Sequence, residues 1–286
     1  MYHEEDGDLL RFKNIVVIIV IILIFSLGVL FLYEHYTKMR EEEVIPITYE
    51  EGKVITFIMP DESFTIVSSL IAIANQSVDI MVYEFYHEAL LQLIKNKAKN
   101  GVSFRILLEG EVYGTYGDKW NRAAANKLFQ LNRSGYSVWI RFENRAPFMH
   151  AKMIIIDNRI TIIMSENLFP SSFPTIEGYI QRSPYHTGSR GWGIAVFYRN
   201  LSEYFEEIFV DDFYNNSENY YPYIHGTGEA PLNYGEIQNP SNFNYSIYTG
   251  IELNYKPIIS PINSYKILCE LIDSANESIY IEMMYI

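Results

Sequence analysis

His150, Lys152, Ser165 and Asn167 are the residues of this chain whose types and spacing suit them to chemistry on a phosphoryl group. An imidazole can attack phosphorus or protonate a departing oxygen, an ammonium can neutralise a non-bridging oxygen, and a hydroxyl and a carboxamide can hydrogen-bond the same oxygens. The residues between them must do the positioning. Residues 153–164 are apolar and β-branched, interrupted only by Asp157-Asn158-Arg159-Ile160-Thr161, a pattern of two buried strands joined by a tight polar turn. Alternation along a strand sends His150 and Lys152 to one side, and Ser165 and Asn167 of the return strand likewise share a side. A hairpin then brings the two open ends together at the lip of a hydrophobic sheet.

The pattern His150-x-Lys152-x4-Asp157, followed by Ser165-x-Asn167, resembles the HKD motif of the phospholipase D superfamily. Where that family usually carries Gly before the Ser, this chain has Met164. Residues 189–196 (SRGWGIAV) resemble the strand that follows the motif, and Tyr204, Phe205, Phe209, Asp212 and Phe213 resemble the closing helix, so the likeness covers about residues 56–215. It implies an α/β fold, a phospholipase D-like mixed β-sheet flanked by helices. It also implies a phosphodiesterase that hydrolyses its substrate, or transfers a phosphatidyl group, through a phosphohistidine intermediate. Carried over, His150 is the nucleophile or the acid that protonates the leaving alcohol, Lys152, Ser165 and Asn167 bind the non-bridging oxygens, and Asp157 orients the motif. No metal and no other cofactor is implied.

Family members with two repeats build one site from two such motifs, because one imidazole cannot conveniently be nucleophile and proton donor at once. The other histidines, His3, His35, His87, His186 and His225, have no x-Lys partner. The chain is therefore expected to be a fragment with little activity, to pair with a second copy of itself, or to be completed by a separate chain that supplies the other motif. The substrate expected is a phosphodiester, with phospholipid favoured and a single-stranded nucleic acid end as the rival. Trp120, Tyr136, Trp139, Phe142 and Phe148 are the aromatic candidates for stacking bases in that second case. A reading of another kind is a non-catalytic membrane-anchored binding module.

The rest of the chain is organised around this motif. After a short tail, 1–13, residues 14–33 form an uncharged apolar run of the length needed to cross a bilayer as one helix, with no cleavage signature behind it. Arg11 and Lys13 lie close before the run, whereas Lys38 and Arg40 follow it beside Glu41-Glu42-Glu43. The expected topology is a single-pass anchor with the tail cytoplasmic and the main domain outside. Residues 34–53 read as a charged stalk. Residues 54–215 read as the first repeat, in which strands alternate with helices as in an α/β sheet covered on both faces, and 216–258 as an irregular connection rich in Asn, Tyr, Pro and Gly.

The final segment, 259–286, reads as the start of an incomplete second repeat. At an offset of 201, residues 264–281 match residues 63–80 at eight of eighteen positions without a gap. With one cysteine, Cys269, the chain has no internal disulfide. Charge is segregated: the net charge is −13, yet residues 113–199 hold 11 basic against 5 acidic groups. Arg141, Arg145, Arg159, Arg182 and Arg190 are the candidates for a local field that draws in a phosphate.

Overall fold

The computed structural model describes residues 26–28, 47–113, 117–144, 148–174, 189–229 and 245–281. The expected anchor at 14–33 lies outside them except for residues 26–28, which are helical. Among the described residues no helix is long and apolar enough to cross a membrane.

Nine strands of the described residues form one mixed sheet: β1 (Lys53–Met59), β2 (Ser77–Val82), β3 (Ser103–Glu109), β4 (Val138–Glu143), β5 (Lys152–Ile156), β6 (Ile160–Met164), β7 (Gly191–Phe197), β8 (Ser217–Asn219) and β9 (Ser246–Tyr248). Their spatial order is β8-β4-β3-β2-β5-β6-β7-β1-β9. The β2, β3 and β4 strands run parallel, joined by helices, and β5, β6, β7 and β1 follow antiparallel. The predicted hairpin is therefore the junction between the parallel and antiparallel halves, with β5 set against β2.

Helices α1 (Ser63–Ala72), α2 (Glu88–Lys99) and α3 (Gly117–Arg133) connect the first four strands. The apolar positions of α1 and α2 fall at helical spacing, and Ile66, Val67, Leu70, Ile71, Leu90, Leu91 and Ile94 are all buried in one core with Ile55, Ile80, Ile106, Ile154 and Ile162 of the sheet. His87 caps α2 by accepting a hydrogen bond from the Leu90 N–H at 3.3 Å, and Gly101, at φ +92°, turns the chain out of it. On the other face lies α4 (Arg199–Asn215). Thr161 and Ser202 share a hydroxyl–hydroxyl bond of 2.9 Å there, and Arg105 lies between Asp79, at 2.6 and 2.7 Å, and Glu206. Burial, opposed by Arg105 and reinforced by Glu206, pushes Asp79 up to about 7.

The segment expected to be irregular, 216–258, departs from that reading. It contributes β8, a short helix α5 (Pro222–His225) and β9. Edge pairing accounts for both strands, β8 onto β4 and β9 onto β1, and neither has the alternating apolar pattern that identifies a strand by itself. The chain divides into two compact units, Met1–Thr249 and Gly250–Ile286. In the second, α6 (Ser264–Asp273) occupies the span of α1 displaced by 201 residues, and each helix follows an X–Pro bond in cis, Met59–Pro60 and Ser260–Pro261.

Candidate active site

The two ends of the β5–β6 hairpin have different chemistry. At the turn, Asp157 and Asn158 both take left-handed backbone conformations, φ 50° and 53°, which Asp and Asn tolerate better than other side-chain-bearing residues. The Arg159 N–H closes the turn on the Ile156 carbonyl at 2.9 Å. The Asp157 carboxylate accepts three backbone N–H groups, from Asn75 at 2.8 Å, Gln76 at 2.7 Å and Ser77 at 2.9 Å. It thereby ties the hairpin turn to the loop between α1 and β2. One strand length separates Asp157 from His150, and its carboxylate fixes the strand that carries the motif.

At the open end, Lys152 is buried, with 7% of its surface exposed, and its ammonium donates to the His150 carbonyl at 2.9 Å. His150 is exposed, and its ring nitrogens meet no hydrogen-bond partner among the described residues. Both side chains lie on Tyr83: the imidazole is edge-on at 4.9 Å between ring centroids, and Lys152 Nζ is 5.5 Å from the phenol centroid. They thus share one side, as alternation requires. Burial first, then the Lys152 charge, holds the His150 imidazolium below its ordinary range, which keeps the ring neutral and nucleophilic near neutrality. Burial also lowers Lys152, to about 8, against the opposing pull of Glu166 and Glu84.

Asn167 comes to this end through a short parallel contact between residues 85 and 168. Its Nδ2 donates to the Glu84 carboxylate at 2.8 Å, and its Oδ1 lies 3.4 Å from the Glu84 N–H. Ser165 is placed differently. Its Oγ accepts the Trp192 N–H at 2.9 Å, so the hydroxyl is engaged by β7 and retains a proton to donate.

Several residues at this end escaped the sequence reading. Glu84, Glu109 and Asn121 have no motif around them, and Glu166 is the unassigned residue between Ser165 and Asn167; only the fold brings them together. Buried Glu109 accepts the N–H groups of Met149 at 2.6 Å and Glu111 at 2.9 Å, anchoring the strand entry just before His150. Asn121, 1% exposed on α3, accepts from the Phe85 N–H at 2.8 Å and donates to the carbonyls of Tyr83 at 2.9 Å and Glu109 at 3.0 Å. One carboxamide thus holds the ends of β2 and β3 in place beneath the site. A buried Asn in an otherwise amphipathic helix is the signal that could have found it.

The three described arginines of the expected field, Arg141, Arg159 and Arg190, lie apart from one another. Arg141 binds Ser217 and Asn219 at the β8 edge, Arg159 lies 5.4 Å from the Tyr49 ring at the turn end, and Arg190 pairs with Asp61 at 3.1 Å. Arg145 and Arg182 lie outside the described residues. The aromatic candidates scatter likewise. Phe142 is buried in the core, Trp120 packs on Phe169 at 4.7 Å, Tyr136 packs on the core, and Trp139 is exposed on β4. Phe148 is exposed two residues before His150, and the Phe169 on which Trp120 packs lies two residues after Asn167.

The remaining described histidines are structural. His87 stacks on Phe64 and reaches the Phe173 carbonyl at 2.6 Å, with burial lowering it to about 4, and His225 packs between Phe142 and Tyr220. His3, His35 and His186 lie outside the described residues. Among the described residues no group of three or more His, Cys, Asp or Glu is placed to hold a metal.

The family described as cardiolipin synthase, PLD-like domain, matches residues 67–179. Among solved structures, a phospholipase D family member, Nuc from Salmonella typhimurium, aligns at 22% identity over 58% of this chain and 97% of its own, with a TM-score of 0.48. NucT from Helicobacter pylori aligns at 18% identity over 59% and 100%, TM-score 0.46. A phosphatidylserine synthase from Haemophilus influenzae aligns at 12% identity over 58% and 40%, TM-score 0.44. No curated protein matches the chain.

Proposed function

We propose, for a chain that belongs to the phospholipase D superfamily and carries that family's domain over residues 67–179, a phosphodiesterase working through His150, Lys152, Ser165 and Asn167. The observation that carries this reading is the pairing of an exposed, neutral-leaning imidazole with a buried ammonium on the same Tyr83 ring at a strand end. In the proposed reaction a His150 ring nitrogen attacks phosphorus and the bond to the leaving alcohol breaks. A second imidazole gives that alcohol its proton, and water then releases the phosphoryl group from His150, or an acceptor alcohol does so in a transfer. Lys152, Asn167 and Ser165 stabilise the oxygens on which charge gathers.

The second imidazole comes, in this reading, from another HKD motif in a second copy or a separate chain. An exposed apolar strip beside Ser165 supports such pairing: among the described residues Ile163, Trp192 and Ile194 lie open on one sheet face and line a groove of about 750 Å³. Phospholipid is the favoured substrate, because an anchor at 14–33 would hold the domain against a bilayer, with the domain on the extracytoplasmic side. Exposed Phe148 beside His150 favours the second reading, a nuclease acting on single-stranded ends. Assaying the full chain in parallel on labelled phospholipid vesicles and on short single-stranded oligonucleotides separates the two. Specific activity that rises with protein concentration supports a site shared between chains, and activity that persists unchanged at high dilution rules the sharing out. His150→Ala that leaves the biological activity intact would favour a binding module instead.

A further inference from the structure

Lys152 faces more negative charge than a phosphate-binding lysine needs. Glu84, at the end of β2, and Glu166, just beyond β6, both act on its ammonium, whose other neighbours are the His150 carbonyl and the Tyr83 ring. One cation is set against two carboxylates and an imidazole held neutral, so a phosphodiester arriving with its own negative charge meets repulsion at the place meant to receive it. The two carboxylates differ in their bonds. Glu166 accepts from the Ser172 hydroxyl at 3.2 Å, whereas Glu84 accepts from Asn167, the amide whose other N–H is left for the phosphate.

We propose that Glu84 sets the affinity of this site by taking up a proton when a phosphodiester binds, an inference that rests on the phosphodiester reading above. Protonation removes one negative charge beside Lys152 and frees its attraction for the incoming oxygen. The bond to Asn167 survives, because the carbonyl oxygen of a carboxylic acid still accepts, and the backbone contact of residue 84 keeps the amide oriented. No covalent bond changes, and the proton comes from solvent. Burial already disfavours the charged form of Glu84, opposed by Lys152 and by the Asn167 bond, so the proton enters a group poised to accept it. Lys152 and Tyr83 act on it directly, the Val82–Lys152 register sets residue 150 across from it, Glu166 acts on the same Lys152, and Glu109 is occupied by two backbone N–H groups.

The test is titration calorimetry of dimethyl phosphate into the full chain between pH 5.5 and 7.5, in pairs of buffers with different ionisation enthalpies. Binding by the wild type is expected to take up a proton, to a maximum of one per site, within this range. Its affinity should weaken by up to about tenfold per pH unit where Glu84 titrates. Glu84→Gln, which keeps the acceptor for Asn167, should bind about fivefold more tightly at pH 7.5, with a flat pH profile and correspondingly less proton uptake. His150→Ala should keep the uptake, which separates Glu84 from the imidazole. Binding by the wild type without proton uptake overturns the proposal whether or not any variant folds, and so does a Gln variant with an unchanged slope. No binding of dimethyl phosphate to the wild type at any pH removes the phosphodiester reading itself, a different failure from binding that carries no proton.

Discussion

The β5–β6 hairpin carries Asp157 at one end and His150 with Lys152 at the other, and these polar groups are treated in opposite ways. Asp157 is saturated: its carboxylate accepts three backbone N–H groups at 2.7 to 2.9 Å, and its own N–H donates to the Ser77 carbonyl at 2.9 Å. At the open end the His150 ring has no hydrogen-bond partner among the described residues, and burial depresses the Lys152 charge against the pull of Glu166 and Glu84. A fully bonded carboxylate contributes stability and can do little else. Unsatisfied donors and a neutral imidazole contribute little stability and are free to bind and react. One short hairpin therefore has a structural end and a reactive end, and each can be damaged without the other.

Four measurements sharpen or break that division. His150→Ala should reduce phosphodiester turnover most, by about 10³-fold or more, while the melting temperature stays within a few degrees, because the ring is exposed. Lys152→Met should follow, at roughly 10² to 10³-fold. In both cases a loss of activity matched by a loss of folded protein, followed by circular dichroism, would dissolve the distinction between the ends. Asp157→Ala should show the reverse pattern. Denaturant unfolding should report about 3 kcal/mol of lost stability from the orphaned N–H groups, with turnover per folded molecule changed less than about threefold.

The smallest effect is the pH dependence of Lys152, and its two signs oppose. Activity should fall as pH rises through about 8, where the folded chain loses the ammonium. Stability should move the other way relative to Lys152→Met. The folded pKa lies below the ordinary value of 10.5, so between about 8 and 10.5 the unfolded chain binds the proton that the folded chain has released, and stability rises with pH. Activity and stability that decline together above pH 8 would assign the effect to global unfolding.

A similar contrast separates the two copies of the repeated segment. In α1 the side chains of Ile66, Val67, Leu70 and Ile71 are buried, whereas in α6 Ile267 is buried and Leu268, Leu271 and Ile272 are exposed. The duplication was legible as an ungapped match, and so was the helix in each copy, because spacing of apolar residues is local information. Burial was not, since it depends on whether a sheet lies opposite.

The chain's own order of residues determined the hairpin, the side shared by His150 and Lys152, the helices flanking the sheet and the family to which the motif points. Strand period and turn chemistry act over a few residues and need no partner. Tertiary structure alone decided that Glu84 meets Asn167, 83 residues away, that Asn121 holds the ends of β2 and β3 together, that Asp157 binds the N–H groups of residues 75–77, and that Arg141, Arg159 and Arg190 lie apart. Those outcomes follow from which strand lies beside which and how each is shifted along its neighbour. A motif specifies which groups can react; the sheet order specifies which charges surround them.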